Sequence, residues 1–257
     1  MKFKDFKRLR NNFFLSVLSI LTLNSQSTNA ASVKNIVLVH GAFADGSSWS
    51  LVSEKLQKLG YHVTSVQNPL SSLEADVEAT KNVIERQKGD VLLVGHSWGG
   101  VVVTEAGNLP QVKGIVYLSA LVPNSQESAS DLLIRLKAPM EGLEPDQNGL
   151  IWLDDFKKFQ KIMANDIPTK QVKLLASVQQ AIAAKVFNEK ISQAAWHVKP
   201  TWYLITTNDK ALNSHTQELI SKQANSKITR IKSGHMSLIS HPEKVTKLID
   251  SAAKSLN

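Results

Sequence analysis

The sequence contains no cysteine among its 257 residues. This absence excludes disulfide bonds, zinc ribbons, iron–sulfur ligation, a thiol nucleophile and a lipidated cysteine. Any covalent catalysis must therefore use a serine, threonine, lysine or carboxylate side chain. Histidine, aspartate and glutamate residues also form no tight cluster with the spacing of a metal site, so we expect no metal and no other cofactor.

A strong charge imbalance is missing from most of the chain. The formal net charge is +8, but the first 30 residues hold five of the 30 Lys and Arg residues and one acidic residue. The remainder has 25 basic and 21 acidic residues, a balance that is ordinary for a soluble domain. We therefore expect a small-molecule partner and no nucleic acid. Hydrophobic residues make up 42% of the chain, enough for the core of one large α/β domain or two small ones.

Long apolar runs are missing as well, except near the start of the chain. There the basic segment Met1–Asn12 precedes the apolar run Phe13–Leu23 and a polar stretch that ends at Ala30, the pattern of an export signal. We predict cleavage after Ala30 and a periplasmic or secreted protein, exported by the general route because the basic segment has no adjacent arginine pair. The alternative is an uncleaved membrane anchor. The run is about half of the ~20 residues that cross a bilayer, so no stable membrane span is expected in the mature protein.

From residue 34 onward, short β-branched apolar runs alternate with amphipathic stretches. This pattern is typical of a mainly parallel sheet covered by helices on both faces. The predicted strands are 35–40, 61–66, 91–96, 112–118, 202–206 and 228–232. The predicted helices are 48–59, 73–87, 98–108, 212–223 and 242–255, with Ser47 as the cap of the first.

About 80 residues separate the fourth predicted strand from the fifth, and a loop of that length needs structure of its own. Helical periodicity over 128–136, 152–164 and 169–186, interrupted by prolines, predicts a helical cap inserted into the sheet domain. Aromatic residues of this cap are candidates for the wall of a substrate pocket: Trp152, Phe156, Phe159, Phe187 and Trp196. The predicted division is a signal peptide at 1–30, a core at 31–123 and 200–257, and the cap at 124–199.

The strongest chemical signal is a Gly-x-Ser-x-Gly motif, Gly95 to Gly99, between an apolar strand and a helical stretch. In that setting a sharp strand-to-helix turn projects the hydroxyl of the central residue, Ser97, above the sheet. The adjacent helix N-terminus also favours developing negative charge. We predict that Ser97 is a nucleophile, the alternative being a plain glycine-rich turn.

A serine nucleophile needs a base that is oriented by a third group. Catalytic groups of parallel α/β sheets collect at the carboxyl ends of the strands, where Asp209 follows the fifth strand and His235 the sixth. In a parallel α/β sheet with a strand–serine–helix turn, the acid and then the base follow the serine along the chain, so we predict Asp209 as the acid and His235 as the base. An Asn-Asp turn is the alternative for Asp209. Structural or surface roles are expected for the other histidines: His40, His62, His96, His197, His215 and His241, the last opening the final helix.

The loop after the first strand supplies the remaining part of an acyl-transfer site. The backbone N–H groups of Ala42 and Trp98 are the predicted oxyanion donors, with Phe43 as the fallback. Gly41 permits the backbone path of this loop, and Asp45 is expected to cap it. The side chains of Phe43 and Trp98 are predicted to contact the substrate.

Three segments carry a family resemblance: 40–49, 95–100 and 234–242. At these residues the sequence resembles the α/β-hydrolases, and more narrowly small bacterial hydrolases akin to plant salicylate methyl esterases and hydroxynitrile lyases. The resemblance covers residues 34–255. It implies the same nucleophile, acid, base and oxyanion donors as those predicted above.

The departures from the family pattern help to choose the chemistry. We expect the two antiparallel strands that open the family's sheet to be absent, because the predicted mature chain begins almost at the strand 35–40. Lyases of this group carry a lysine and a threonine where this chain has Met236 and Gly41, so the sequence resembles the esterase branch. We predict a serine hydrolase of carboxylic esters or lactones. The alternatives are a cofactor-free lyase that uses His235 as a base without acylation, and a non-catalytic ligand-binding protein on the same fold.

Overall fold

The main element of the fold is a six-stranded sheet whose neighbouring strands are all parallel. The computed structural model describes residues 33–139 and 142–256. Its strands are β1 (Asn35–Val39), β2 (His62–Ser65), β3 (Val91–His96), β4 (Val112–Leu118), β5 (Leu150–Ile151), β6 (Ile182–Ala183), β7 (Thr201–Thr206) and β8 (Lys227–Ile231). The sheet order is β2-β1-β3-β4-β7-β8, and β5 pairs with β6 in a separate antiparallel pair. The predicted α/β architecture is confirmed.

Helices cover the sheet, and three of those in the described residues lie within the connection between β4 and β7. They are α1 (Ser50–Lys58), α2 (Leu73–Glu85), α3 (Gly99–Ala106), α4 (Ala129–Arg135), α5 (Phe156–Ile162), α6 (Thr169–Ser177), α7 (Ser214–Gln223), α8 (Ser237–Ser240) and α9 (Pro242–Lys254). Side chains cap several of them, as Ser72 does for α2 and Asn213 for α7. In the part of the chain that the structure describes, no helix has the length and apolarity needed to cross a membrane.

The burial of the strands follows their position in the sheet. Every residue of β1 and β3 is buried, because helices cover both faces of these central strands. The edge strand β2 is only partly buried, and β8 at the other edge has three exposed residues among its five. The near-continuous apolar runs of the sequence therefore identify the centre of the sheet, where the site described below is built.

The connection between β1 and α1 differs from its prediction. A 3₁₀ turn, Gly46–Trp49, precedes α1, and the side chain of Asp45 accepts the backbone N–H of Ser47 at 2.7 Å. Asp45 is thus the capping residue of this loop, as predicted. The prediction that Ser47 caps the helix is wrong, because α1 begins only at Ser50 and its first turn has no side-chain cap.

The long connection, residues 119–200, is called the insertion below. Its predicted helix over 152–164 is shortened to α5, and the one predicted over 169–186 ends at Ser177. Beyond it the chain forms β6, whose Ala183 N–H donates to the carbonyl of Leu70 at 2.9 Å. Apolar spacing along one segment cannot reveal such a distant partner. The division at 124 and 199 remains a prediction, and the predicted signal peptide lies outside the described residues.

Candidate active site

Ser97 occupies the sharp turn between β3 and α3. Its φ of +53° lies in the left-handed region, an uncommon conformation for a residue with a side chain. The turn is possible because its neighbours have no Cβ. A Cβ on Gly95 would lie 2.6 Å from the carbonyl oxygen of Gly99, and one on Gly99 would lie 2.6 Å from that of Val39. The local sequence therefore determines a strained, half-buried position for Ser97 at the start of a helix, where it lines a cavity.

His235 and Asp209 form a buried hydrogen-bonded pair, with 2.8 Å between His235 Nδ1 and Asp209 Oδ2. The same oxygen accepts Thr206 Oγ1–H at 2.8 Å and Gln217 Nε2–H at 3.0 Å, and Oδ1 accepts two backbone N–H groups of the following turn at 2.8 Å each. Burial alone would raise the pKa of Asp209. The charge of His235 and these hydrogen bonds outweigh it, so the pKa lies below its usual value and the carboxylate is ionised.

The other ring nitrogen of His235, Nε2, is buried and has no hydrogen-bond partner among residues 33–139 and 142–256. His235 lines the same cavity as Ser97, while Asp209 lies behind the imidazole. The structure thus brings the three predicted residues together at the carboxyl ends of β3, β7 and β8. An imidazole oriented through Nδ1 by a carboxylate leaves Nε2 available to accept a proton, which is the arrangement a serine nucleophile requires.

The loop after β1 approaches the serine turn closely. A Cβ on Gly41 would lie 2.8 Å from Ser97 Cβ, so only glycine permits this approach. Ala42, Phe43 and Trp98 all line the cavity. In the described parts of the chain, the backbone N–H groups of Ala42 and Trp98 have no acceptor. Two unpaired N–H groups beside a serine hydroxyl can bind an oxyanion.

His40 fixes the peptide group that carries one of these donors. Its Nδ1 lies 2.9 Å from the carbonyl oxygen of Gly41, and its Nε2 accepts the backbone N–H of Asn68 at 2.9 Å. Burial lowers the pKa of His40, which keeps the ring neutral with its proton on Nδ1. The Gly41 carbonyl and the Ala42 N–H belong to one planar peptide, so the bond from His40 also sets the direction of the Ala42 N–H.

The cavity that contains these groups has a volume of about 280 Å³. Both the sheet domain and the insertion contribute apolar side chains to its wall: Leu121, Leu133, Pro139, Leu143, Ile162, Met163, Phe187 and Leu212. Trp98 packs edge-on against Phe187 with 5.3 Å between the ring centroids. A pocket of this kind suits an apolar small-molecule group next to a few polar reacting atoms.

Of the five aromatic residues proposed for the pocket wall, Phe187 alone lines this cavity. The prediction is wrong for the other four. Trp152 is 46% exposed and donates to Asp146, while Trp196 donates to the carbonyl of Pro123. Phe156 and Phe159 belong to α5, which packs against α6, and Phe159 is fully buried. The two phenylalanine rings are thus on a helix that packs within the insertion.

Sequence reasoning missed a buried carboxylate behind the site. Asp76 of α2 accepts Trp98 Nε1–H and the backbone N–H of Leu70, each at 2.7 Å. Burial raises the pKa of Asp76 to about 6, an effect that these two hydrogen bonds only partly offset. Asp76 therefore fixes the indole that lines the cavity. An acidic residue in the first turn of an amphipathic helix gives no signal of such a role.

His96 was expected to have a structural role, and its hydrogen bond to the backbone of His235 shows which segment it holds in place. Its Nε2 lies 3.0 Å from the carbonyl oxygen of His235, and the two rings are 4.7 Å apart. Burial, together with the nearby charge of His235, lowers the pKa of His96 to about 3, so the ring is neutral and its Nε2–H donates. The residue before the serine thus anchors the backbone of the histidine loop.

Comparison with known proteins identifies the family of the chain. Residues 36–248 match the model of the alpha/beta hydrolase family. The chain belongs to this family. The match spans both the sheet and the insertion, and it confirms the resemblance found in the three sequence motifs.

Several relatives bear names that agree with the predicted activity. The chain is 29% identical over 241 residues to alpha/beta hydrolase nvfD of Aspergillus novofumigatus, covering 85% of this chain and 96% of the relative. It is 32% identical over 119 residues to the carbendazim hydrolyzing esterase of a Nocardioides species, covering 41% and 49% of the two chains. Methylesterase 2 of Arabidopsis thaliana is 22% identical over 242 residues, covering 82% and 92%.

Solved structures show the same fold. An extracellular α/β-hydrolase from a Paenibacillus species matches with a TM-score of 0.73 at 23% identity, covering 85% of this chain and 98% of the other. A pyrethroid hydrolase from Sphingobium faniae matches with a TM-score of 0.71 at 17% identity, covering 87% and 98%. At these identities the likeness concerns the fold alone.

Proposed function

We propose that this protein is a serine hydrolase of carboxylic esters that works through an acyl-enzyme on Ser97. The observation that carries the proposal is the buried His235–Asp209 pair, whose free Nε2 belongs to a residue of the cavity that Ser97 also lines. Family membership and the relatives named as esterases support the same reaction class. Neither a plain glycine-rich turn nor a simple binding site needs this combination of groups.

The reaction begins with attack of Ser97 Oγ on the ester carbonyl carbon while His235 Nε2 takes the hydroxyl proton. Asp209 holds the imidazole in the correct tautomer and stabilises the imidazolium. Collapse of the tetrahedral intermediate breaks the bond to the alcohol oxygen, which receives the proton from His235. A water molecule, deprotonated by the same nitrogen, then attacks the acyl-enzyme. Release of the carboxylic acid returns Ser97 to its hydroxyl form.

The negative charge of each tetrahedral intermediate is assigned to the backbone N–H groups of Ala42 and Trp98. Both line the cavity beside Ser97, and neither has an acceptor among the described residues. One comes from the residue after the nucleophile and one from the loop after β1, the usual pair in this fold. Donors that are fixed before the reaction stabilise the developing charge without reorganisation.

The cavity favours esters with a compact apolar group. Its volume of about 280 Å³ is near the lower limit of typical small-molecule sites, and most of its wall is aliphatic or aromatic. Phe43 follows the oxyanion donor Ala42 and Trp98 follows Ser97; both line the cavity, and we assign their side chains to substrate contact. A lactone is a close variant of the same substrate class, because a cyclic ester passes through the same intermediate.

The first test is labelling of the purified protein with a fluorophosphonate, followed by intact mass and peptide mapping. We expect one adduct on Ser97. Hydrolysis is then measured over a panel of aryl esters, alkyl esters and lactones of graded chain length. Replacement Ser97→Ala should abolish the adduct and lower turnover more than about a thousandfold.

A matched control is Ser50→Ala, since Ser50 is an exposed serine at the start of α1. This variant should label and turn over like the wild type. Full ester hydrolysis by a folded Ser97→Ala variant would exclude the acyl-enzyme. Cyanide release from a cyanohydrin without labelling of Ser97 would instead indicate the lyase reaction.

We also propose that the protein is exported. The basic segment, the apolar run and the small residues before Ala31 support cleavage after Ala30 and an enzyme that acts outside the cytoplasm. The absence of cysteine is compatible with an oxidising compartment, because no thiol is available for unwanted disulfide formation.

A further inference from the structure

A short segment of the insertion, residues 163–166 between α5 and α6, contacts the loops that carry both Asp209 and His235. It lies outside the strands on which these two residues are mounted. His235 follows the last residue of β8 by four positions, and Asp209 follows the end of β7 by three. Strand pairing alone therefore does not fix either side chain to the precision that proton transfer requires.

The residues on both sides of His235 donate backbone hydrogen bonds to this segment. The N–H of Gly234 donates to Asp166 Oδ2 at 2.7 Å, and the N–H of Met236 donates to the carbonyl of Met163 at 3.3 Å. Together with the bond from His96 to the His235 carbonyl, these contacts fix the peptide groups that flank the imidazole.

Asp166 accepts two further hydrogen bonds, one from the loop that carries His235 and one from α8. Ser233 Oγ lies 3.1 Å and Ser240 Oγ 2.9 Å from its Oδ2, on the two sides of His235 in sequence. The carboxylate is only 18% exposed, so water competes little for these donors. A Cβ on Gly234 would lie 2.6 Å from Asp166 Oδ1, so the loop reaches the carboxylate only because residue 234 is glycine.

Asn165, the residue before Asp166, holds the loop that carries Asp209. Asn165 Nδ2 donates to the carbonyl oxygen of Asn208 at 3.0 Å, immediately before Asp209. The N–H of Asn208 in turn donates to the carbonyl of Ser233 at 3.0 Å, which joins the two loops to each other. Segment 163–166 thus bonds to the residue before the acid and to both neighbours of the base.

We propose that Asp166 is a positioning residue that holds His235 in its productive orientation, with Asn165 doing the same for Asp209. This inference rests on the proposed function. Asp166 does not line the cavity, so it acts through the histidine loop and not on the substrate. Met163, in contrast, lines the cavity and also accepts the N–H of Met236, so it connects the cavity wall to the residue after the base.

The test compares Asp166→Ala, Asp166→Asn and the control Asp155→Ala in the full chain. Asp155 is an aspartate of the same insertion that caps α5 through the N–H groups of Lys157 and Lys158, at 2.7 and 3.1 Å. Its loss destabilises the insertion without touching either loop. The replacement Asp166→Asn keeps one oxygen for the Gly234 N–H and separates the loss of geometry from the loss of charge.

We expect Asp166→Ala to lower kcat about 10–100-fold with KM within about threefold of the wild type, because a misplaced base slows chemistry but not binding. Asp166→Asn should lose only about 3–10-fold, since the Gly234 bond persists. The rate constant of fluorophosphonate labelling should follow the same order. The far-downfield proton resonance of the His235–Asp209 hydrogen bond should shift or broaden in Asp166→Ala and stay unchanged in Asp155→Ala.

An unchanged kcat in Asp166→Ala, or a loss of kcat in Asp155→Ala equal to that in Asp166→Ala, overturns the inference. Asp166 would then have a purely structural role. If Asp166→Ala does not fold, the isosteric Asp166→Asn and the replacement Asn165→Ala decide by the same readouts. The proposed function fails in a distinguishable way, because the wild type then neither labels at Ser97 nor loses activity on Ser97→Ala, and this inference falls with it.

Discussion

The replacement Asp209→Asn tests how the tautomer of His235 is set. The carboxylate accepts five hydrogen bonds, two on Oδ1 from the backbone of the next turn and three on Oδ2 from His235, Thr206 and Gln217. The backbone donors cannot move, so the amide oxygen of asparagine must face them. Its NH₂ group then faces His235 Nδ1, which can only accept. The proton of the ring moves to Nε2, where the base needs a lone pair.

We expect kcat to fall about 10⁴-fold, equivalent to about 5.5 kcal/mol of activation free energy, with little change in KM. The fold should survive. Thr206 can rotate to accept, leaving one or two lost hydrogen bonds of about 0.5–3 kcal/mol each, so the free energy of unfolding should fall by about 0.5–6 kcal/mol. Turnover on the best ester of the panel and urea titration measure the two effects separately.

The pH dependence of stability adds an independent check on the same residue. The pKa of Asp209 is lower in the folded state than in the unfolded chain. Its contribution to stability is therefore present above the unfolded pKa and is lost as the pH falls through the folded pKa. The gap in unfolding free energy between wild type and Asp209→Asn should narrow in acid. Activity of the folded variant within tenfold of the wild type would refute the tautomer argument, and Asp250→Asn, on α9, serves as the control.

Three further predictions concern the surroundings of the site. Burial raises the pKa of Asp76 to about 6. The wild type should therefore lose about 1–3 kcal/mol of stability relative to Asp76→Asn as the pH rises from about 4 to about 6.5. A difference in urea midpoint between the two proteins that is the same at both pH values would contradict this. Replacement Gly99→Ala should lower the urea midpoint by an amount equivalent to about 1–3 kcal/mol, because the added Cβ would lie 2.6 Å from the Val39 carbonyl oxygen. A helical Gly→Ala change without such a contact stabilises a protein, so a raised midpoint would refute the steric reason. When the full chain is expressed in a Gram-negative host, the periplasmic fraction should contain protein that begins at Ala31, as intact mass would show, and uncleaved protein in the membrane fraction would support the anchor instead.

Much of the site could be predicted from the sequence because its elements are local. Gly95 and Gly99 leave space that a Cβ would fill, and an apolar strand followed directly by a helix determines the turn that carries Ser97. The positions of Asp209 and His235 followed from the carboxyl ends of strands β7 and β8, because parallel strands all present those ends at one edge of the sheet. Each of these inferences needs only a few neighbouring residues and the topology rules of an α/β sheet.

Tertiary structure alone decided which side chains support these groups. Asp76 meets Trp98 across 22 positions of sequence, Asp166 meets Gly234 across 68, and His96 meets His235 across 139. The insertion is a second example. Its aromatic residues were predicted as the pocket wall from helical spacing, but which residues line the cavity depends on how the insertion packs on the sheet. Periodicity along a chain reports which face of an element is apolar. It carries no information about which distant segment covers that face, because that choice depends on packing and hydrogen bonding between segments that only the folded chain brings together.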